Sequence, residues 1–327
     1  MIFNTIIGNP PYNWGQDLDF IYKSHDISSQ VCMIVPAKWQ GTDETAIGSS
    51  DITYTAFRKE IVPYMEYVVF YPNSQDVFDI AVGGGISYFC LRQTKPEKQY
   101  KKTICKTNKH IASDWEEFNT FDIDNLSLYS NTITELVEKC KGHQILLEKF
   151  KHTMYVADNK DKIPFSNNSD DIAIISNDSV LGYVKEDDLY TQLGLHKYKV
   201  ILNCMRGGAT DFDSTGKIYG LNKLLVAKSR QVGGGNYYVL KFFDTIDECN
   251  SFISYLNTKL IRFLYFLGVY ATGIRNATFK FVPEPPNSKY DHIYTDDELY
   301  SLYNLTDTEI KIIESIIKDR GDDKIGS

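Results

Sequence analysis

The feature that most constrains this chain is Asn9-Pro10-Pro11-Tyr12, set directly behind the apolar run Ile2-Phe3-Asn4-Thr5-Ile6-Ile7. A short apolar run rich in β-branched residues reads as a strand. Two consecutive prolines lack backbone N–H groups and fix φ, so neither strand nor helix continues past Gly8. The chain must leave the end of a strand in a stiff loop. By average residue usage, this tetrapeptide arises by chance in roughly one chain per thousand of this length. An ordinary turn has no need of it.

The next elements keep the same rhythm. Asp17 to Ile27 predicts a helix, with Leu18, Ile21 and Tyr22 spaced for one face. Val31-Cys32-Met33-Ile34-Val35 is a continuous apolar run ending at Pro36, as expected of a strand buried on both faces. Thr53 to Val62 predicts a helix and Tyr67 to Tyr71 a strand. Gly83-Gly84-Gly85 leads into a further strand, Ile86 to Leu91. Strands alternating with helices predict a parallel α/β sheet. The pattern weakens from about 100 to 195. Short strand-like runs follow at Lys199–Asn203, Leu224–Ala227 and Tyr237–Phe242, between glycine-rich turns. Thr245 with Glu248 forms a capping box before a long apolar helix, and the cap pattern recurs at Thr295/Glu298 and Thr306/Glu309.

Length and composition exclude several classes. A chain of 327 residues has room for two domains or one large one, and 43% hydrophobic with 24% charged residues is ordinary for a soluble globular protein. The six cysteines form no CxxC pair and none lies at zinc-ligand spacing from a histidine. No metal site is expected, and the thiols read as reduced, in a cytoplasm. No basic segment leads into an apolar stretch at the N-terminus, so no signal peptide is expected. No apolar run reaches the length of a membrane span.

Net charge is −8, which by itself argues against nucleic acid, but the charge is unevenly spread. Residues 195–282 hold 12 Lys/Arg against 5 Asp/Glu, between two acidic flanks. A local basic block is what a phosphate-binding surface needs. Within it, Arg206, Lys217, Lys223, Lys228, Arg230, Arg275 and Lys280 are candidate contacts to double-stranded DNA. Arginine can read guanine edges, and lysine mainly holds phosphates.

The loop itself suggests a chemistry. The N6 amino group of adenine is a poor nucleophile because its lone pair is delocalised into the ring. Two acceptors, a carboxamide oxygen and a backbone carbonyl, can each take one N6 hydrogen and draw the nitrogen toward tetrahedral geometry. Asn9 supplies the first and Pro10 the second, Pro11 helps to fix the loop, and Tyr12 stacks on an extruded base, a contact worth about 1–3 kcal/mol.

With those residues in place, the segment Phe3 to Tyr12 resembles the catalytic motif of gamma-class N6-adenine DNA methyltransferases of type II restriction–modification systems. The resemblance continues in order through Val31 to Trp39, Tyr71 to Leu91 with Asp76-Val77-Phe78 and Gly83-Gly84-Gly85-Ile86-Ser87-Tyr88-Phe89, and residues 237–283. It ends at Asp296 to Leu299 with Leu305-Thr306. It implies an adenine-specific, site-specific DNA methyltransferase using S-adenosylmethionine. Phe20 falls where the family has an aromatic near the cofactor adenine. Tyr88 and Phe89 lie in the segment that closes the base pocket. The implied fold class is α/β: a partial Rossmann-like methyltransferase sheet (1–125), an α+β target-recognition domain (126–285) and a short helical tail (286–327).

Two departures stand out. Asn4 replaces the family's usual Asp. The family's cofactor turn lies on strands before the catalytic loop, and no such motif is found here, so the S-adenosylmethionine site is expected to be incomplete. Neither Gly83–Gly85 nor Gly233–Gly235 opens a helix as an anion site requires. Three expectations follow. A partner protein carries the cofactor half, the chain associates with itself through an open sheet edge at Ile2–Ile7, or the chain is poorly stable alone. The alternative reading is a non-catalytic DNA-binding specificity subunit or a degenerate remnant.

Overall fold

The computed structural model describes residues 3–12, 15–41, 52–118, 127–141, 165–176, 179–203, 212–270, 274 and 276–320. Its first part is a six-stranded sheet: β1 (Ile6–Gly8), β2 (Gln30–Pro36), β3 (Met65–Tyr71), β4 (Ile86–Arg92), β5 (Gln99–Thr103) and β6 (Glu116–Phe118). The spatial order is β1-β2-β4-β3-β5-β6, which leaves β1 at an edge. β1 is parallel to β2 and β3 to β5, whereas β4 runs antiparallel to both of its neighbours. The sheet is therefore mixed, not parallel. The chain returns from β3 to β4 through the connection 72–85, whose one short 3-10 turn, Ser74–Asp76, is not a crossover helix that could carry it back to the first end of the sheet.

That return fixes the glycine run. Gly85 has φ +77, and a Cβ there would lie 2.3 Å from the Tyr71 carbonyl oxygen. Only glycine fits where the two chain segments close on each other.

Strand residues alternate between the two faces, with a break at the irregularity between Met65 and Tyr67 of β3. Val31, Met33 and Val35 of β2, Phe89 and Leu91 of β4, and Val68 and Phe70 of β3 face one large core. Onto that face pack α1 (Gln16–Ile27), through Leu18 and Ile21, and α2 (Tyr54–Glu60), through Phe57. Helix α1 starts after Gly15 in the left-handed region and carries Asp17 and Asp19 in its first turn, where the helix dipole favours acids. Helix α2 is capped by the Thr53 hydroxyl, which accepts from the Ala56 N–H at 3.0 Å. The strand expected over Ile2–Ile7 is shorter and shifted. Phe3 makes an isolated bridge to Ser28, and regular pairing begins only at Ile6.

Beyond α3 (Asn131–Cys140) come β7 (Ile172–Ser176), β8 (Ser179–Val184), β9 (Tyr198–Asn203), β10 (Leu224–Ala227), β11 (Gln231–Gly233) and β12 (Tyr237–Phe243). They form two three-stranded sheets, β10-β9-β12 and β11-β7-β8, around a second, smaller core containing Ile172, Ile201, Leu225 and Val239. The single long helix expected after Thr245 is two, α4 (Ile246–Asn257) and α5 (Lys259–Leu267), separated at Thr258 with ψ 150. Helices α6 (Asp296–Leu302) and α7 (Asp307–Ile316) dock as the cap signals indicate. The capping box of α7 is complete, with the Thr306 N–H donating to Glu309 Oε2 at 2.7 Å.

Residues of α3 to α7 join the same hydrophobic cluster as the first sheet, so the sheet and the C-terminal helices share one core. Arg262 ties it together from inside. Only 2% exposed, it donates to the carbonyls of Asn257, Tyr219 and Lys318 at 2.8–3.0 Å. Among the described residues no helix is long and apolar enough to cross a membrane, and no cluster of His, Cys, Asp and Glu could hold a metal ion.

Candidate functional site

The loop Asn9–Tyr12 leaves the carboxyl end of the edge strand β1. Asn9 and Pro11 are exposed, Pro10 is buried and Tyr12 is half-buried. The Tyr12 hydroxyl donates to Asn9 Oδ1 at 2.5 Å, and the Ile34 carbonyl lies 3.3 Å from the same hydroxyl oxygen. The loop is thus closed on itself, with the phenol covering the Asn9 amide oxygen. Burial raises the Tyr12 pKa, and the nearby Asp17 carboxylate raises it further. The phenol therefore stays protonated and remains a donor.

Asp17 is the residue the sequence reading missed. It is 8% exposed, and burial raises its pKa against the opposing pull of its own and the Leu18 N–H groups and of Lys38. In sequence it is an ordinary first-turn acid. Only the return of β2, which brings Lys38 and the Ile34 carbonyl beside the loop, gives it a place at the site.

The other candidates are placed separately. Phe20 lies on the outer side of α1, 49% exposed. Tyr88 and Phe89 are successive strand residues and point to opposite faces of the sheet. Phe89 is fully buried in the core against Trp39, whereas Tyr88 is half-buried among Tyr67 and Tyr71 on the other face. A small cavity of ≈ 50 Å³ opens between the loop that follows β3 and the end of α5, with Gln40, Ser74, Gly84, Tyr129 and Tyr270 among its walls, and Asn9–Tyr12 do not line it.

Of the basic candidates, Lys223, Lys228 and Arg230 are exposed around β10, and Lys217 is half-buried. Arg230 sits in the left-handed region, pairs with Glu186 at 3.5 Å and donates to the Asp170 carbonyl at 3.1 Å. Arg206 and Arg275 lie outside the described residues. Lys280 is placed inside the protein: its ammonium is buried without a hydrogen-bond partner, over the rings of Tyr270 and Phe281. It does not face solvent where a phosphate could meet it. Much of the charge that distinguishes residues 195–282 in sequence is likewise spent internally. Lys199 donates to three carbonyls, Arg262 does the same, Lys241 pairs with Glu284 at 2.5 Å, and Lys259 pairs with Glu314.

Lys280 carries a pH dependence. Burial, with Arg58 and Lys141 nearby, lowers its pKa to about 7, whereas an unfolded chain holds that proton to about 10.4. Between these values the unfolded state binds more protons, so stability should climb with pH, by at most about 1.4 kcal/mol per pH unit from this group. Urea denaturation of Lys280→Met should show a shallower rise than the parent over the same window. Parallel curves would mean that the ammonium is solvated.

No family model matches the chain, and no curated protein matches it. Among solved structures, a cryo-EM structure of a DrdV–DNA complex is similar at 11% identity, with a TM-score of 0.40, over 86% of this chain. The chain spans 43% of the length of that neighbour. A likeness so distant carries no argument about fold or site.

Proposed function

We propose that this chain is the base-handling and DNA-recognition part of an adenine-N6 DNA methyltransferase. The observation that carries the reading is the Asn9-Pro10-Pro11-Tyr12 loop, held at the carboxyl end of a strand with the Asn9 amide exposed and its oxygen engaged by the Tyr12 hydroxyl. An extruded adenine that reaches the loop offers an N–H donor in place of the phenol O–H. The exchange keeps Asn9 Oδ1 satisfied throughout, which limits the desolvation cost. The freed phenol ring is then available to stack on the base. The second N6 hydrogen goes to the Pro10 carbonyl.

In this reading S-adenosylmethionine is held outside the described residues. Among them no strand lies beyond β1 to carry a cofactor turn, and the two glycine runs lead into strands or turns. The chemistry assigned to this chain is therefore limited to holding and orienting adenine. In this reading the methyl donor is held by a cofactor half, in this polypeptide or in another.

The exposed cations around β10 supply the DNA-facing surface in this reading. Reversing Lys223, Lys228 and Arg230 together to Glu should lower the slope of log K against log salt by about one for each phosphate left without its cation, up to about three in all. Binding to plasmid-length duplex at several salt concentrations measures it. An unchanged slope places the DNA elsewhere on the protein. The function itself is tested by mass spectrometry of DNA exposed to the chain together with its partner half and S-adenosylmethionine. N6-methyladenine is the expected product, and a doubly occupied complex that leaves adenine unmodified would overturn the reading.

A further inference from the structure

Cys32 in β2 and Cys90 in β4 are direct cross-strand partners. The phase of the ladder decides what kind of partners they are. In an antiparallel pair, directly opposite residues alternate between those that exchange backbone hydrogen bonds and those that do not. At the two ends of β2, the Ala37 N–H donates to the Gly85 carbonyl at 3.0 Å and the Gln93 N–H to the Ser29 carbonyl at 3.2 Å. The register runs unbroken between them, so the odd-numbered residues of β2 hold the hydrogen-bonded positions. Cys32 and Cys90 therefore occupy a non-hydrogen-bonded pair. Opposite Cα atoms there lie about 4.5 Å apart, and the side chains come closest.

That spacing suits a covalent bond. A disulfide joins residues whose Cα atoms are about 4.4–6.8 Å apart. Val31 and Met33 of β2 and Phe89 and Leu91 of β4 face the core, so Cys32 and Cys90 stand together on the opposite face. Their thiols hydrogen-bond each other. The Gln30 side-chain amide donates to Cys90 Sγ at 2.9 Å, and both cysteines are free. The contact lies within one strand pair and holds whatever covers that face.

The two thiols are unequal. Cys90 is fully buried, whereas Cys32 is half-buried. Burial, and after it the hydrogen bond with Cys90, pushes the Cys32 thiol up to about 11, while Arg92 and Tyr67 pull it the other way. Little thiolate stands ready at neutral pH, so the pair rests reduced. Cys105, Cys140 and Cys249 are buried and lie outside the strands, so no ladder sets a second thiol opposite any of them.

We propose that Cys32 and Cys90 form a redox modification site, a cross-strand dithiol that hydrogen peroxide closes to a disulfide and a reducing dithiol reopens. The Cys32 thiolate attacks one peroxide oxygen and the O–O bond breaks. Cys32 becomes a sulfenic acid, and the departing hydroxide takes a proton to leave as water. The Cys90 sulfur then attacks the Cys32 sulfur. The S–O bond breaks, and the hydroxyl leaves as a second water with the Cys90 proton. The two thiols lose two electrons, and one hydrogen peroxide becomes two waters. The oxidant is small enough to reach a half-buried sulfur. The Cα spacing lies at the short end of the disulfide range, and a strained disulfide is the more easily reduced. The bond ties β2 to β4 and does not depend on the adenine reading.

The test treats the full chain with a modest excess of hydrogen peroxide, alkylates it, digests it with trypsin without reductant and weighs the peptides. Cys32 and Cys90 fall on separate tryptic peptides, 24–38 and 60–92. These should appear joined, lighter than their sum by two hydrogens, and should separate on treatment with dithiothreitol. The oxidised chain should melt a few degrees higher, because the crosslink restrains the unfolded segment between the two cysteines. Cys32→Ala should leave Cys90 reduced at the same dose, since the buried sulfur is oxidised only through its neighbour. Unlinked peptides, a bond from either cysteine to a third, or Cys32 driven to a sulfinic acid beside an untouched Cys90 would each overturn the proposal. So would oxidation of Cys90 in Cys32→Ala. A linked chain that melts lower would overturn it too, because the bond would then form only by distorting the strands.

Discussion

Asn9→Ala, assembled with the partner half, should lose adenine methylation by roughly 10²–10³-fold while duplex binding stays nearly unchanged. That is the usual cost of removing one positioned hydrogen-bonding group from a developing charge. Asn9 is exposed at the end of β1, and its one described side-chain contact is the Tyr12 hydroxyl. The substitution therefore removes no core packing, and the melting temperature should hold. Tyr12→Phe tests the same loop from the other side. It releases Asn9 Oδ1 from the phenol and keeps the stacking ring, so activity should remain within a few fold. Tyr12→Ala should lose the stack, worth about 1–3 kcal/mol. Near-parental activity in Asn9→Ala would remove this loop from the chemistry.

The largest stability effect belongs to Trp39. Trp39→Ala should cost about 3–5 kcal/mol in urea denaturation, the range for emptying a large aromatic site in a close-packed core. Trp39 is fully buried, meets Phe57 at 5.7 Å and Phe89 at 6.5 Å, and donates from Nε1 to Ser87 Oγ at 3.0 Å. Its carbonyl also accepts from Arg58 Nη1 at 2.9 Å. The residue joins β2 to β4 just behind the segment that carries Lys38 and the Ile34 carbonyl to the loop. Loss of this anchor should loosen the site along with the core. Trp39→Phe keeps most of the apolar area, forfeits one hydrogen bond and should cost about 1 kcal/mol beyond the change in packing. A loss under about 1 kcal/mol in Trp39→Ala would mean that the core does not depend on this contact.

What the sequence discloses follows local rules. Prolines 10, 11 and 36 end strands because they cannot continue them, and Thr245, Thr295 and Thr306 cap helices in the structure as their spacing indicates. The apolar runs of β2, β3 and β4 are strands, and among the described residues β1 is the edge strand of their sheet. Direction was not legible. A buried strand reads the same whether its neighbours run with it or against it, so the antiparallel β4 was unforeseen. Nor does a lysine's position in a basic block reveal where its ammonium points. Lys199, Lys241 and Lys280 count toward the charge of that block but turn inward. The period of two along β4 does separate Tyr88 from Phe89, and the structure gives each its side. Asp17 entered the site through tertiary contact alone.

The central claim is that this chain presents adenine for methyl transfer and depends on a second α/β half to supply the methyl group. Duplex DNA incubated with S-adenosylmethionine and the chain alone, a cofactor half alone, or both together, followed by nucleoside mass spectrometry, tests it most directly. The account predicts N6-methyladenine only where both proteins are present, and its loss when Asn9 is replaced. N6-methyladenine formed by the partner alone, or undiminished by Asn9→Ala, would contradict it.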